Sequence, residues 1–297
     1  MPFKWQYYTL KAISRAVCLL PYPAVLLLGE ILGRLYYHTA GRQRRRAIKQ
    51  IREGLGLSQE EAAAVIKRSF IKLGQTFCEV FYTPALNPDK IKRYVTIENR
   101  HYLEQALAQG KGVVFLTAHL GNWEWFGAAL ALNGFPVADI VKNQPNDQHT
   151  RILNEYRQMF GIEIFASGTG EIVRAARALK KGKLLGFFAD QDAGKDGVFV
   201  EFLGKMASTP LGPAVFARKF KCPVVPGFIV READGRHRIT IQPPIYFADT
   251  GDPQADLYDL TVRMTKIIED AVKAHPDEWL WARKRWNTDY QGSEESR

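Results

Sequence analysis

Short apolar runs and longer amphipathic stretches take turns along most of this chain. Strand-like runs fall at Val113–Thr117, Val137–Val141, Ile162–Phe165, Leu184–Phe188, Val224–Val230 and Ile239–Ile245. Helix-like patterns cover Trp123–Leu132, Asp147–Phe160, Glu171–Lys181, Pro210–Phe220 and Asp256–Ala274. This alternation predicts an α/β fold, a largely parallel mixed sheet with helices on both faces. Functional residues in such sheets gather beyond the carboxyl ends of the strands.

Residues 8–85 carry a different pattern and read as helical. Ser58-Gln-Glu-Glu61 has the form of a capping box, with Ser58 as N-cap and Glu61 at the third helical position, and predicts a helix running to about Phe81. Residues 16–29 are uncharged but broken by Pro21 and Pro23, and at 14 residues they fall short of the roughly 20 that a spanning helix needs. They predict an element lying in a bilayer interface, or a helix pair dipped into one leaflet, with Trp5, Tyr7, Tyr8, Tyr36 and Tyr37 as flanking aromatics. The competing reading is a hairpin buried beneath the main domain. No small-residue cleavage site follows, so a secretory signal peptide is not expected. The chain thus divides into a membrane-associated N-terminal segment (1–40), a main domain (41–290) and a frayed tail (291–297).

Charge sharpens this picture more than composition does. The 297 residues are 46% hydrophobic and 24% charged, ordinary for a globular chain. The net charge is +10, and residues 1–53, with ten Lys/Arg against two Glu, supply +8 of it. A basic N-terminal region points to an anionic surface, either lipid headgroups or nucleic acid. Its densest run is Arg42, Arg44, Arg45, Arg46, Lys49 and Arg52, which on a helix suits a solvated face or an acidic membrane equally. Cys18, Cys78 and Cys222 are too scattered for a disulfide framework, which suits a reducing compartment. There is no P-loop, and Gly168-Thr-Gly170 is too short for a dinucleotide fingerprint. Near the C-terminus, Glu278-Trp-Leu-Trp-Ala-Arg-Lys-Arg-Trp286 sets three Trp beside three cations, a combination that favours an interface, a cation–π cluster or lipid contact. Single-stranded nucleic acid could use it too, but no RNA-binding or helix-turn-helix motif supports that.

The residues with the most chemistry in them are His119 and Glu124. His119 leaves the strand Val113–Thr117, and Glu124 sits in the first turn of the next helix, with Gly121 at the turn and Asn122 as N-cap. On one straight helix, five residues would separate the side chains by about 140°. Placed before and inside the first turn, they can meet, the carboxylate orienting an imidazole that takes a proton from a hydroxyl. A structural His is the bland alternative. A zinc site is not expected, because the spacing is wrong for a helical pair and no third ligand is evident. Asp190 and Asp192 follow the strand Leu184–Phe188, so they can share a cleft with His119, where they would orient a polar substrate or merely cap a turn. Arg157 can clamp phosphate or stabilise an oxyanion, or be a solvated helix charge.

Taken together, these residues resemble the bacterial lipid A late acyltransferases, the lauroyl/myristoyl transferase family, over nearly the whole chain. His119-Leu-Gly-Asn-Trp-Glu124 is similar to the family's His-x4-Asp/Glu motif. Asp190-Gln-Asp192, Gly197-Val-Phe-Val-Glu-Phe-Leu-Gly204, Thr209-Pro-Leu-Gly-Pro-Ala and Pro223-Val-Val-Pro226 resemble its second block. Pro276-Asp-Glu-Trp-Leu-Trp281 to Arg285-Trp286 resembles its closing motif. The resemblance implies the α/β fold of glycerol-3-phosphate acyltransferases and the cytoplasmic face of the inner membrane. It also implies acyl transfer from an acyl-thioester, usually on acyl carrier protein, to a hydroxyl of a phosphorylated lipid A precursor or similar glycolipid. His119 is then the base, Glu124 its orienting partner, and Asn122, Arg157, Asp190, Asp192 and Thr209 candidate substrate or oxyanion contacts. No cofactor, metal or nucleic acid is required. A long acyl chain would need an apolar groove beside His119, for which Trp123, Trp125, Phe126, Leu130 and Leu132 are candidate walls. The reading of another class is a non-enzymatic basic protein that binds anionic lipid or nucleic acid.

Overall fold

The computed structural model describes residues 5–141, 147–166 and 168–290; the tail expected to fray lies outside them. Four helices come first: α1 (Trp5–Cys18), α2 (Tyr22–Thr39), α3 (Gly41–Leu55) and α4 (Gln59–Tyr82). The capping box of α4 forms as expected, with Ser58 Oγ accepting from Glu61 N at 3.2 Å and Glu61 accepting from Ser58 N at 2.9 Å. α2 lies directly on α4 because glycines line the crossing. A Cβ on Gly29 would fall 2.4 Å from Gln75 Cα, and one on Gly74 would fall 2.2 Å from the Gly29 carbonyl.

The remaining elements are α5 (Pro88–Tyr94), β1 (Val95–Glu98), α6 (Arg100–Ala108), β2 (Val113–Thr117), α7 (Trp123–Leu132), β3 (Val137–Val141), α8 (Asp147–Met159) and β4 (Glu163–Ala166). After them come α9 (Thr169–Lys180), β5 (Leu184–Phe188), β6 (Val198–Phe202), β7 (Lys205–Thr209), α10 (Gly212–Phe220), β8 (Val224–Arg231), β9 (His237–Ile241) and α11 (Pro253–Ala274). Seven strands form one sheet in the order β1-β9-β8-β2-β5-β3-β4. Every neighbouring pair in it is parallel except β8–β9. The expected α/β class and mixed, largely parallel sheet are therefore present. β2 is central and buried along its whole length, as an unbroken apolar run should be when both faces are covered.

Three strands were not foreseen. β1 is a short edge strand, and β6–β7 is a separate antiparallel hairpin. The run expected to reach Ile245 stops at Ile241, because Pro243 and Pro244 cannot donate to a ladder; Ile245 rejoins only through an isolated bridge to Val224.

Among the described residues no helix is long and apolar enough to cross a membrane. In α2, Val25, Gly29 and Gly33 are buried, while Leu27, Ile31 and Leu35, four residues apart, stay exposed. Trp5 and Tyr8 are also exposed. Tyr7, Tyr36 and Tyr37 turn inward instead: Tyr7 is buried, and Tyr36 and Tyr37 pack on Phe70.

Candidate active site

β2 and β5 are parallel neighbours in a register that pairs Thr117 with Phe188. His119 and Asp190 each lie two residues further on, so the two chains leave the sheet side by side. His119 Nδ1 lies 2.8 Å from Asp190 Oδ1, and the His119 backbone N–H donates to Asp190 Oδ2 at 3.0 Å. Trp279 Nε1 donates to the same Oδ2 at 2.8 Å. Burial pushes the Asp190 carboxyl up, but the imidazole, the indole N–H and the His119 N–H outweigh it and hold Asp190 below the usual carboxylate range. The His119 side chain keeps 21% of its surface exposed while that of Asp190 keeps 2%, so the carboxylate is sealed and the imidazole is not. The Trp123 and Phe188 rings flank it at 5.2 and 4.7 Å, and the Gln191 amide nitrogen lies 3.2 Å from Nε2.

The turn that aims His119 is over-determined. Gly121 has φ +62°, and a Cβ there would fall 2.2 Å from the Ile229 carbonyl oxygen. Leu280 N–H donates to His119 O at 3.1 Å and Gly121 N–H to Glu278 O at 3.0 Å, so the C-terminal segment runs beside the turn. Asn122 is the N-cap expected, its Oδ1 accepting from Trp125 N–H at 3.0 Å.

The expected contact between His119 and Glu124 is replaced by two separate pairings. Both Glu124 oxygens are taken by Arg157, at 2.9 and 2.5 Å, and Arg157 also donates to Asn154 at 3.1 Å. The carboxylate that touches the imidazole is Asp190. The reason is direction: in the first turn of α7, Glu124 leans towards α8, where a guanidinium offers a two-pronged match. With Val80, Leu153, Tyr156, Phe160 and Ile162, this ion pair lines a small pocket, partly open to solvent. Of the expected groove walls, Trp125, Phe126 and Leu130 are core residues, and none of the five lines this pocket.

The other candidates are brought close but occupied. Asp192 accepts from Thr288 N–H and Oγ1, at 3.0 and 2.8 Å, and from Gly194 N–H. Thr209 is buried and accepts from Arg285 at 2.7 Å. The side chain of Asn122 is fully buried and donates to Glu79 at 2.8 Å. Trp279 and Trp281 are buried at 3% and 0% exposure, which corrects their reading as an exposed interface; they are core. Lys205 does lie over Trp286, 5.4 Å from the ring centroid.

Glu79 on α4 was missed. It is fully buried and accepts from Tyr22 (2.6 Å), Asn122 (2.8 Å), Arg231 (2.6 and 2.7 Å) and His237 (3.0 Å). The helix repeat does contain a signal: Ala62, Ile66, Ser69, Thr76 and Glu79 follow one buried stripe, and a carboxylate there demands partners. Among the described residues no group of side chains is suited to hold a metal ion.

Comparison with known proteins gives the chain its family. The family model described as bacterial lipid A biosynthesis acyltransferase matches residues 1–288. The chain is 26% identical over 273 residues to the lipid A biosynthesis palmitoleoyltransferase of Escherichia coli K12, covering 91% of this chain and 87% of that protein. It is 26% identical over 291 residues to the lipid A biosynthesis lauroyltransferase of the same strain, covering 92% and 88%. It is 24% identical over 236 residues to the phosphatidylinositol mannoside acyltransferase of Mycolicibacterium smegmatis, covering 78% and 76%. The chain belongs to the bacterial lipid A biosynthesis acyltransferase family. It is an acyltransferase.

Proposed function

We propose that the protein moves a fatty acyl group from an acyl-thioester, carried on acyl carrier protein, to a hydroxyl of a phosphorylated glycolipid. Lipid A precursors and mannosylated phosphoinositides, the acceptors in the relatives' names, are the two acceptor classes. The observation that carries the mechanism is the His119–Asp190 pair. With Nδ1–H held by a sealed carboxylate, Nε2 is the nitrogen left to act as base. It takes the hydroxyl proton as the oxygen attacks the thioester carbonyl carbon. The C–S bond then breaks, and the imidazolium returns the proton to the leaving thiolate. The first turn of α7 starts just beyond His119, and its orphan N–H groups, on Trp123 and Glu124, suit the developing oxyanion. Glu124 serves this site by fixing Arg157, and the apolar side chains beyond that pair suit an acyl chain.

The exposed Leu27, Ile31 and Leu35, with Trp5, Tyr8 and the basic face of α3, support docking on an anionic bilayer by insertion plus charge, which at the cytoplasmic face of the inner membrane would present the site to its lipid acceptor. The test is an acylation assay with purified protein, acyl-carrier-protein thioesters of graded length and each acceptor. Transfer to one acceptor, lost in His119→Ala, supports the reading. A folded His119→Ala protein with wild-type turnover would sink it, as would an active wild-type protein that leaves every hydroxyl acceptor unmodified.

A further inference from the structure

Asp190 also lines a second, small pocket, partly open to solvent, together with Gln191, Trp279, Leu280, Arg283, Lys284 and Arg285. The last of these poses a problem in electrostatics. Arg285 is 2% exposed, yet among the described residues no carboxylate forms an ion pair with it. Its guanidinium donates to the Ser208 carbonyl at 2.6 Å and to Thr209 Oγ1 at 2.7 Å, both neutral acceptors. A guanidinium carries five N–H donors, and the buried Nε of Arg285 has no partner. Burial lowers its pKa to about 10 against the opposing fields of Asp190 and Asp192. Those two carboxylates are occupied elsewhere, Asp190 by His119 and Trp279, Asp192 by Thr288 and Gly194. Buried cations are normally paired.

Arg283 and Lys284, two and one residues before it, are exposed, and neither has an ion-pair partner among the described residues. The backbone that carries all three is anchored from α3: Gln50 Nε2 donates to the Trp281 and Arg283 carbonyls at 2.9 and 3.1 Å, Gln50 Oε1 accepts from Arg285 N–H at 3.2 Å, and Arg46 donates to the Ala282 carbonyl. The pocket therefore gathers three cations on an anchored backbone beside the one carboxylate of Asp190, with Gln191 bridging it to the His119 ring. Arg157, by contrast, already spends its fork on Glu124.

We infer that this pocket is a phosphate subsite of the active site, taking the phosphate ester of a substrate whose reacting group lies at His119. A lone carboxylate would leave most of the positive charge uncompensated; a phosphate monoester brings up to two charges and three acceptor oxygens, and a phosphodiester one charge on two oxygens with a tetrahedral spread. The inference rests on the acyl-transfer reading only for which substrate carries the phosphate. That is either the acceptor glycolipid or the pantetheine arm of the donor.

The test uses the full chain and two readouts. The first is binding of inorganic phosphate, followed by ³¹P NMR at constant ionic strength. The wild-type protein should bind it, and the Arg283→Gln/Lys284→Gln double variant, changed only at exposed positions, should lose roughly tenfold or more in affinity. Arg285→Gln should lose more; if it fails to fold, the double variant still decides. The second readout is the ratio of kcat/KM between substrates with and without phosphate, once for the acceptor (glycolipid against its dephosphorylated form) and once for the donor (acyl-4′-phosphopantetheine against acyl-pantetheine). In the double variant one ratio should collapse towards unity, and the arm in which it does so names the source. No phosphate binding by the wild-type chain, equal affinity in the variant, or collapse in neither arm of an active enzyme overturns the inference. If phosphate binding is lost in the variant but the wild-type chain transfers no acyl group, the subsite stands and the acyl-transfer reading falls.

Discussion

Two buried carboxylates in this molecule each hold a histidine, and they sit in opposite surroundings. Glu79 lies 3.0 Å from His237 Nε2 and Asp190 lies 2.8 Å from His119 Nδ1. Around Glu79 everything is closed: His237 is 1% exposed, and Arg231, Tyr22 and Asn122 complete the shell. Beside Asp190 the histidine side chain keeps 21% of its surface exposed. A carboxylate–histidine pair is thus no signature of catalysis. What separates the two is whether a proton on the imidazole has anywhere to go. The sealed pair also serves the open one, since Glu79 grips Asn122, the cap of the turn that aims His119.

The strongest way to break this comparison is to exchange the effects of the two histidines. His119→Ala is expected to lower kcat by roughly 10²–10⁴-fold with unfolding behaviour close to wild type. His237→Ala is expected to leave chemistry available in whatever protein remains folded and to lower stability by about 1–3 kcal/mol in urea melts. Comparable kinetic losses from both would erase the distinction.

Removing the sealed carboxylate comes next. Glu79→Ala leaves Arg231, 5% exposed at its side chain, without its partner, and should cost about 3–5 kcal/mol. Burial pushes Glu79 up, yet Arg231 and His237 hold it well below the usual range. An acid held low contributes stability that is present above its unfolded pKa and is lost as pH falls through the folded one. Acid unfolding of the wild-type protein should therefore flatten in Glu79→Ala; an unchanged acid limb would mean that Glu79 is not ionised in the folded chain.

A third carboxylate gives the opposite sign and the smallest effect. Asp139 on β3 fits against Gly186, where a Cβ would fall 2.5 Å from its Oδ1. Burial, reinforced by Glu124 and offset by Arg157, raises it to about 6. Stability tied to this group is present below its unfolded pKa and declines as pH rises towards 6. Asp139→Asn should relieve about 3 kcal/mol at neutral pH and well under about 1 kcal/mol at pH 4. Equal gains at both pH values would assign the change to packing.

Much of the fold was legible because its signals were local. β2, β3, β5 and α7 end where the apolar runs end, and the Ser58 and Asn122 caps announce themselves by residue type and spacing. β1 was not, being four residues long and paired with β9 far along the chain; nor was the β6–β7 hairpin, whose strands pair with each other across Leu203-Gly204 outside the main sheet. For the site, His119 and the closeness of Asp190 were legible from strand ends, but Glu124 was given the wrong partner. Spacing along a chain says which groups can meet; it does not say that Arg157, 33 residues away, offers a better fit. The C-terminal Trp residues misled for the same reason: Trp279 is buried because its indole N–H reaches Asp190 and its backbone carbonyl accepts from Ser69.

If Asp190, not Glu124, fixes the His119 tautomer for acyl transfer, the ring ¹⁵N shifts of selectively labelled His119 will show it. In the wild-type protein above the titration of the ring, the proton should reside on Nδ1, with Nε2 bare. Glu124→Gln should preserve that pattern, while Asp190→Asn should redistribute the proton between the nitrogens and depress kcat by roughly 10²–10⁴-fold. A tautomer that survives Asp190→Asn but shifts in Glu124→Gln would contradict the account and return Glu124 to the imidazole.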